Sequence, residues 1–430
     1  MHRFGKYALA LALLAAPAAC DTNINNPGPV EDDFVSQRGA EAALVNGAGR
    51  TLSEAFNWIA YTGAAITREV HPAGSTGSFG IDQRWQYGEL GADDNGLDTH
   101  WENAQQARWV AEEAIRRLEA DGPPPAGDAQ KPATYYDLLQ LAYIRAGFAN
   151  RLLGENMCDA VFDGGPKKPN AAYFTRAESL FNKALAITGG TASKVAQLDT
   201  VAHAGLAQVD VYLGKWTDAT QNSARVATGF VYNMPYFNVG DDAQRNRIAW
   251  AMNSTPYRAH TEWDTWYDAY YTATKDPRVP IIHTTQQGDA AIDCCGKVPF
   301  YPEQKMKTST DPIRLASGHE MRLIEAEAAL RGNDFVTALA TINAVRTASG
   351  APTVTATNST DTWTLMKRER GIELWLEARR LGDRRRWAAD NTPGALDPLE
   401  VVGPQAHLTK QDLCFPIPPS ERQTNPNVGS

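Results

Sequence analysis

The chain of 430 residues carries 50 acidic against 41 basic side chains, a formal charge of −9, and 43% of its residues are hydrophobic. That balance excludes nucleic acid as a partner, because binding a phosphate backbone needs a basic face and none is apparent. It suits an exported protein that must stay soluble.

Residues 1–19 read as a lipoprotein signal peptide: basic Arg3 and Lys6, an apolar stretch from Tyr7 to Ala16, then small residues up to Cys20. The apolar stretch is too short to span a bilayer as a permanent helix. Cys20 is the expected acylation site, with Pro17 standing where such sites usually have Leu. Removal of the leader, with Arg3 and Lys6, leaves a charge of −11. Residues 20–36 include Asn25-Asn26-Pro27-Gly28-Pro29 and little to bury, which predicts an extended tether. The chain would then be anchored to a membrane and would not span it.

From residue 37 onward the hydrophobic spacing is helical and strand-like alternation is scarce. Six glycines between Gly74 and Gly96 make 70–99 an irregular excursion between helices. The stretch from Pro123 to Pro132 is linker-like but falls between helices expected to pack together, so 37–430 reads as one domain.

Three stretches share one pattern: Ala177-x3-Phe181-x2-Ala184, Trp216-x2-Ala219-x3-Ser223-x2-Val226 and Phe335-x2-Ala338-x3-Ile342-x2-Val345. This is the second helix of a tetratricopeptide-type hairpin, in which the alanine permits close approach and the bulky residue fills the groove. Gly214 and Gly332, ahead of two of them, are expected left-handed caps of the preceding helices. The alanines at 219 and 338 are much farther apart than those at 177 and 219. A second irregular excursion, 229–317, accounts for the gap.

Four cysteines follow Cys20, namely Cys158, Cys294, Cys295 and Cys414, and three pairings are open to them. The adjacent pair could bond only through a strained ring, so each of the two is expected to reach elsewhere, or two thiols to stay reduced. No CxxC and no histidine at ligand spacing accompanies them, so neither metal nor cofactor is expected.

In Arg368–Trp387 the acids Glu369, Glu373 and Glu377 recur every four residues, which places them on one side of a helix. Arg370, Arg380 and Asp383 lie within one or two turns, which predicts a partly buried, mutually paired charge ladder. Its role is structural. The run resembles the C-terminal signature of SusD/RagB-like proteins, with Ala378 in place of Gly and Arg384 in place of Leu. The resemblance extends to the Asn-Pro pair after Cys20, to the hairpin Gly318–Arg346 and to the closing Pro416-Ile417-Pro418…Asn425-Pro426. It implies an all-α, tetratricopeptide-like scaffold of helical hairpins with long loop excursions on one side.

Catalytic motifs of the GxSxG, HExxH, Walker or GxGxxG kinds are missing from the sequence, and its eight histidines are scattered singly. The carboxylate pairs Asp93-Asp94 and Asp241-Asp242 sit in polar loop sequence and read as turns. Aromatic rings are the better ligand candidates, since saccharides stack their C–H faces on indole and phenol. Trp85 and Tyr87 lie in the first excursion; Trp263, Trp266 and Tyr267 open an aromatic run in the second. Helical spacing in that run equally suits inward packing. Trp101, Trp216, Trp375 and Trp387 are expected in the core.

The family resemblance implies a non-enzymatic, lipid-anchored protein at the outer-membrane surface. It would capture a glycan or similar nutrient and pass it to a SusC-like TonB-dependent barrel. The alternative is a helical-repeat scaffold for envelope assembly with no small ligand.

Overall fold

A computed structural model describes residues 37–125, 127, 131–240, 242–253 and 257–429. The expected leader, Cys20, the tether 20–36 and Asp241 lie outside these residues. Two units are distinguished, Met1–Glu41 and Ala42–Ser430, and the second carries the helical scaffold and both excursions. No helix among the described residues is long and apolar enough to cross a membrane.

The scaffold is helical. Helix α1 (Glu41–Thr67) precedes the first excursion, which contains the two-residue strand β1 (His71–Pro72). Then α2 (Gly96–Asp121), α3 (Pro132–Asn156), α4 (Ala171–Leu185), α5 (Ala192–Tyr212) and α6 (Trp216–Ser223) follow, with α3 to α6 each packed on the one before. The second excursion holds β2 (Val231–Met234), α7 (Arg247–Asn253), β3 (His260–Thr261), α8 (Trp266–Thr274) and β4 (Ile313–Ser317). Helices α9 (Gly318–Arg331), α10 (Phe335–Ala348) and α11 (Ser359–Glu373) resume the scaffold, α9 packing on α5, α6, α10 and α11. The chain closes with α12 (Arg380–Ala389) and α13 (Pro419–Thr424).

The hairpin pattern has the predicted cause. Ala177, Ala219 and Ala338 are fully buried. The Phe181 ring lies against Gly147 of α3 and Gly205 of α5; a β-carbon at Gly147 would come within 2.7 Å of it. Gly214 has φ 70°, the left-handed cap expected of it. Gly332 does not: its φ is −83°, and Asn333, at φ 60°, takes the left-handed position one residue later. Asparagine tolerates that region better than other β-carbon residues.

Short antiparallel pairings fix the excursions. Val231 pairs with Ser317, joining the two ends of the second excursion. His71 pairs with Thr261 and Pro72 with His260, clipping the first excursion to the second.

The cysteines correct the expectation for the adjacent pair. Cys158 bonds Cys414, with Cα atoms 4.9 Å apart, and Cys294 bonds Cys295. The first bond ties the tail to the segment after α3, where Cys158 N–H also donates to Phe415 O at 2.9 Å.

The charge ladder is buried, but it is not one helix face, and of the predicted mutual pairs only Arg370 with Asp383 forms. Helix α11 ends at Glu373, and left-handed Leu376 (φ 61°) and Ala378 (φ 59°) turn the chain before α12 begins. Glu377 therefore sits in a turn. Glu369 pairs with Arg278 and Arg346 at 2.5 and 2.7 Å. Glu373 pairs with Arg314 and Arg278 at 3.0 and 3.1 Å, and Glu377 with Lys305 and Arg314 at 2.6 and 2.7 Å. Within the run itself Arg370 pairs with Asp383 at 2.7 Å, whereas Arg380 reaches Glu400 at 2.5 Å. Cations from the second excursion and from α10 are thus bound to acids of the C-terminal signature.

Candidate functional site

The sequence-nominated rings divide. Trp85 is buried and its Nε1–H donates to Asp94 Oδ2 at 2.8 Å, beside the His100 ring. Tyr267 is buried and stacks on Trp375, centroids 5.4 Å apart. Neither ring offers a face to a ligand. For Tyr267 the reason is helical spacing, which turns the rings of α8 inward onto the C-terminal signature. Trp266 is also buried, though it borders a small cavity of about 210 Å³ shared with Lys367, Arg368 and Glu400. Tyr87 and Trp263 remain partly exposed. Trp101, Trp375 and Trp387 are core as expected, and Trp216 is half-buried. Asp94 also caps Gly96 N–H at 2.8 Å, and exposed Asp242 pairs with Arg245 at 2.9 Å, so both have local structural partners.

A second cavity, about 400 Å³, opens between the first excursion, residues 291–294 of the second, and His407. Tyr87 stands on its wall. A more open groove of about 590 Å³ continues from it past Tyr87, Cys294 and Thr409. We take this as the candidate site because it lies between the loop excursions, away from the packed hairpins, and because its floor holds polar groups that the protein leaves unsatisfied.

Arg68 is the first of these. It follows the end of α1 with φ 62°, a turn that aims its side chain under the cavity. It is 1% exposed, and its Nε and Nη2 have no acceptor among the described residues. Burial lowers its pKa to about 10, with Asp264 and Tyr87 opposing the shift, so it remains a cation at neutral pH. A buried guanidinium with free donors is costly unless something accepts from it.

The remaining groups are positioned by the clips between segments. The pairing of β1 with β3 sets His71 beside the loop carrying Trp263 and Asp264; the His71 and Trp263 rings meet edge to face at 5.1 Å. Tyr87 O accepts from Thr409 N–H at 3.1 Å and Lys410 N–H at 3.2 Å, which fixes the His407 loop. Asp293 accepts from Gln83, and Asp289 from Ser75 N–H at 2.8 Å, fixing the disulfide loop to the other wall. Asp264 Oδ2 lies 3.5 Å from His407 Nε2 and 4.0 Å from His71 Nε2. Burial drives His71 well below the usual imidazole range, and nearby Arg68 lowers it further, so the ring is neutral. Burial raises the Asp264 carboxyl, while His407 and Arg68 oppose the rise.

Arg68, Asp264 and His407 all adopt the left-handed backbone region, at φ 62°, 58° and 54°. Such strain costs on the order of 1 kcal/mol each and concentrates at functional sites. Sequence reasoning missed all three, and His71 with them. The available signals were slight: Arg68 and His71 flank the start of the first excursion and Asp264 is adjacent to a nominated tryptophan, while nothing in the sequence marks His407.

Residues 300–429 match the model of the SusD family. The fold is similar to that of a SusD-like protein from Bacteroides fragilis (14% identity, TM-score 0.64, covering 93% of this chain and 98% of that one). A SusD superfamily protein from Bacteroides thetaiotaomicron gives 14% identity and TM-score 0.65 over 91% of this chain and 98% of that one. A SusD-like carbohydrate binding protein from Bacteroides vulgatus gives 16% and 0.59 over 91% and 97%. No curated protein matches the sequence.

Proposed function

We propose, for a chain whose residues 300–429 match the model of the SusD family and whose fold is similar to that of a SusD-like protein over 93% of its length, capture of a saccharide at the outer-membrane surface. The observation that carries this reading is the cavity of about 400 Å³ with the free donors of Arg68 beneath it and Tyr87 on its wall. A hydroxyl-rich ligand accepts from the guanidinium and donates to the carboxylates of Asp82 and Asp293, while the Tyr87 ring covers a C–H face. The Bacteroides vulgatus neighbour, a SusD-like carbohydrate binding protein, agrees in chemistry. Binding without bond cleavage is the whole of the proposed reaction.

The rest of the reading concerns the setting. Acylated Cys20 would hold the domain at the outer membrane through the 20–36 tether, and the bound solute would pass to a SusC-like TonB-dependent barrel that this protein covers. Residues 37–430 would act as one binding domain. Affinity purification of the lipidated protein from its native membrane in mild detergent tests the partnership. A stoichiometric barrel in the eluate is expected; intact protein recovered without one would refute it.

A further inference from the structure

Asp264 lies between the rings of His71 and His407, beside the cavity that His407 lines. His71 Nδ1 lies 2.7 Å from Pro72 O, so its proton sits there and Nε2 is left as a bare lone pair. That nitrogen is buried and meets no donor among the described residues. It faces another acceptor instead, Asp264 Oδ2, at 4.0 Å, and the same oxygen is 3.5 Å from His407 Nε2. One donor atom each of His71, Cys294 and His407 lies within 4.8 Å of the others. Two acceptors turned toward each other repel unless something positive lies between them.

We propose that His71, Asp264 and His407 bind a first-row transition dication of the zinc class through two imidazole nitrogens and one carboxylate. Three protein ligands with a fourth position left to solvent or ligand is a common arrangement for such ions. The backbone carbonyl on His71 Nδ1 is the outer partner that orients a metal-ligating imidazole. Asp264 and His407 hold left-handed conformations that present their side chains to this point. The Cys294 sulfur is bonded to Cys295, so it is a neutral neighbour and not a thiolate ligand. Arg68 opposes the ion's charge, and the ligating carboxylate of Asp264 with those of Asp82 and Asp293 on the cavity wall offsets it. The sequence hid the site because its ligands are separated by 193 and 143 residues along the chain.

The test is isothermal titration of the full chain with Zn²⁺ alone, in the absence of saccharide, so the outcome is independent of the capture reading. One saturable ion per chain is expected, with affinity falling more than about tenfold in both Asp264→Asn and His407→Asn. Asparagine tolerates the left-handed backbone at both positions, which preserves the fold. His283→Ala, which removes a histidine outside the triad, is expected to change nothing. Co²⁺ supplies a second readout: a ligand-field absorption band present in the wild type and lost in both triad variants. Absence of a one-to-one phase, or a phase that either triad variant leaves unaltered, would overturn the proposal.

Discussion

Replacing Glu373 by Gln removes a charge from the centre of the C-terminal signature while keeping its shape. The carboxylate is 1% exposed and accepts from Arg314 at 3.0 Å, Arg278 at 3.1 Å and His319 at 3.3 Å. Burial alone would raise its pKa, but the bonds from His319, Arg314 and Arg278 win and hold it at about 2. Against an unfolded value near 4.3, the gap is worth about 3 kcal/mol at 1.36 kcal/mol per pKa unit. Breaking a buried ion pair by removing one partner costs roughly 3–5 kcal/mol in general, so two separate estimates agree. Because the folded carboxyl is the more acidic, this stabilisation is complete above the unfolded pKa and disappears as pH falls from about 4 towards 2. Urea unfolding at neutral pH should therefore place Glu373→Gln about 3 kcal/mol below wild type, with the difference shrinking on acidification through that window. A difference under about 1 kcal/mol at pH 7, or one independent of pH below 5, would refute the assignment of Glu373 as a stabilising buried anion.

Ala378 occupies φ 59°, where the signature it resembles has glycine. Ala378→Gly should stabilise the protein by about 1 kcal/mol, read as a higher urea midpoint at unchanged slope; a lower midpoint would contradict the strain argument. Replacing Cys158 and Cys414 together by Ser opens a cross-link spanning 256 residues. Chain entropy puts the loss at up to about 5 kcal/mol, and a loss under about 1 kcal/mol would mean that other contacts hold the tail. Lys305→Met removes a cation that donates to Glu377 at 2.6 Å and to Trp375 O at 2.6 Å. It should cost about 3 kcal/mol in the same assay, with an unchanged midpoint excluding that role.

What could be read from the sequence followed from local rules. Ala177, Phe181 and Ala184 announce helix packing because their spacing is the spacing of a helix face, and the buried Phe181 ring meets that expectation. The excursions are legible as breaks in periodicity. The ladder shows where the reach of such rules ends: the acids are visible at four-residue intervals, but Arg278, Arg314 and Arg346 come from far along the chain. Nor does spacing reveal that Leu376 and Ala378 break the helix, since both are good helix formers forced into the left-handed region by the packing around them. The site is harder still. Arg68, Asp264 and His407 are brought together by two-residue strand pairings and single backbone hydrogen bonds, which leave no periodic trace. Trp85 and Tyr267 misled because an aromatic in a loop or on a short helix has the same letter whether it faces solvent or core.

Saccharide capture at the cavity is tested most directly by titrating a panel of neutral and acidic oligosaccharides into the wild-type protein and into Tyr87→Ala. Tyr87 is partly exposed on the cavity wall, so its truncation spares the core. At least one saccharide class should bind the wild type saturably. Loss of the ring should weaken that binding about tenfold, the equivalent of 1.4 kcal/mol, with the unfolding midpoint unchanged. No binding across the panel, or binding that Tyr87→Ala leaves intact, would contradict the account.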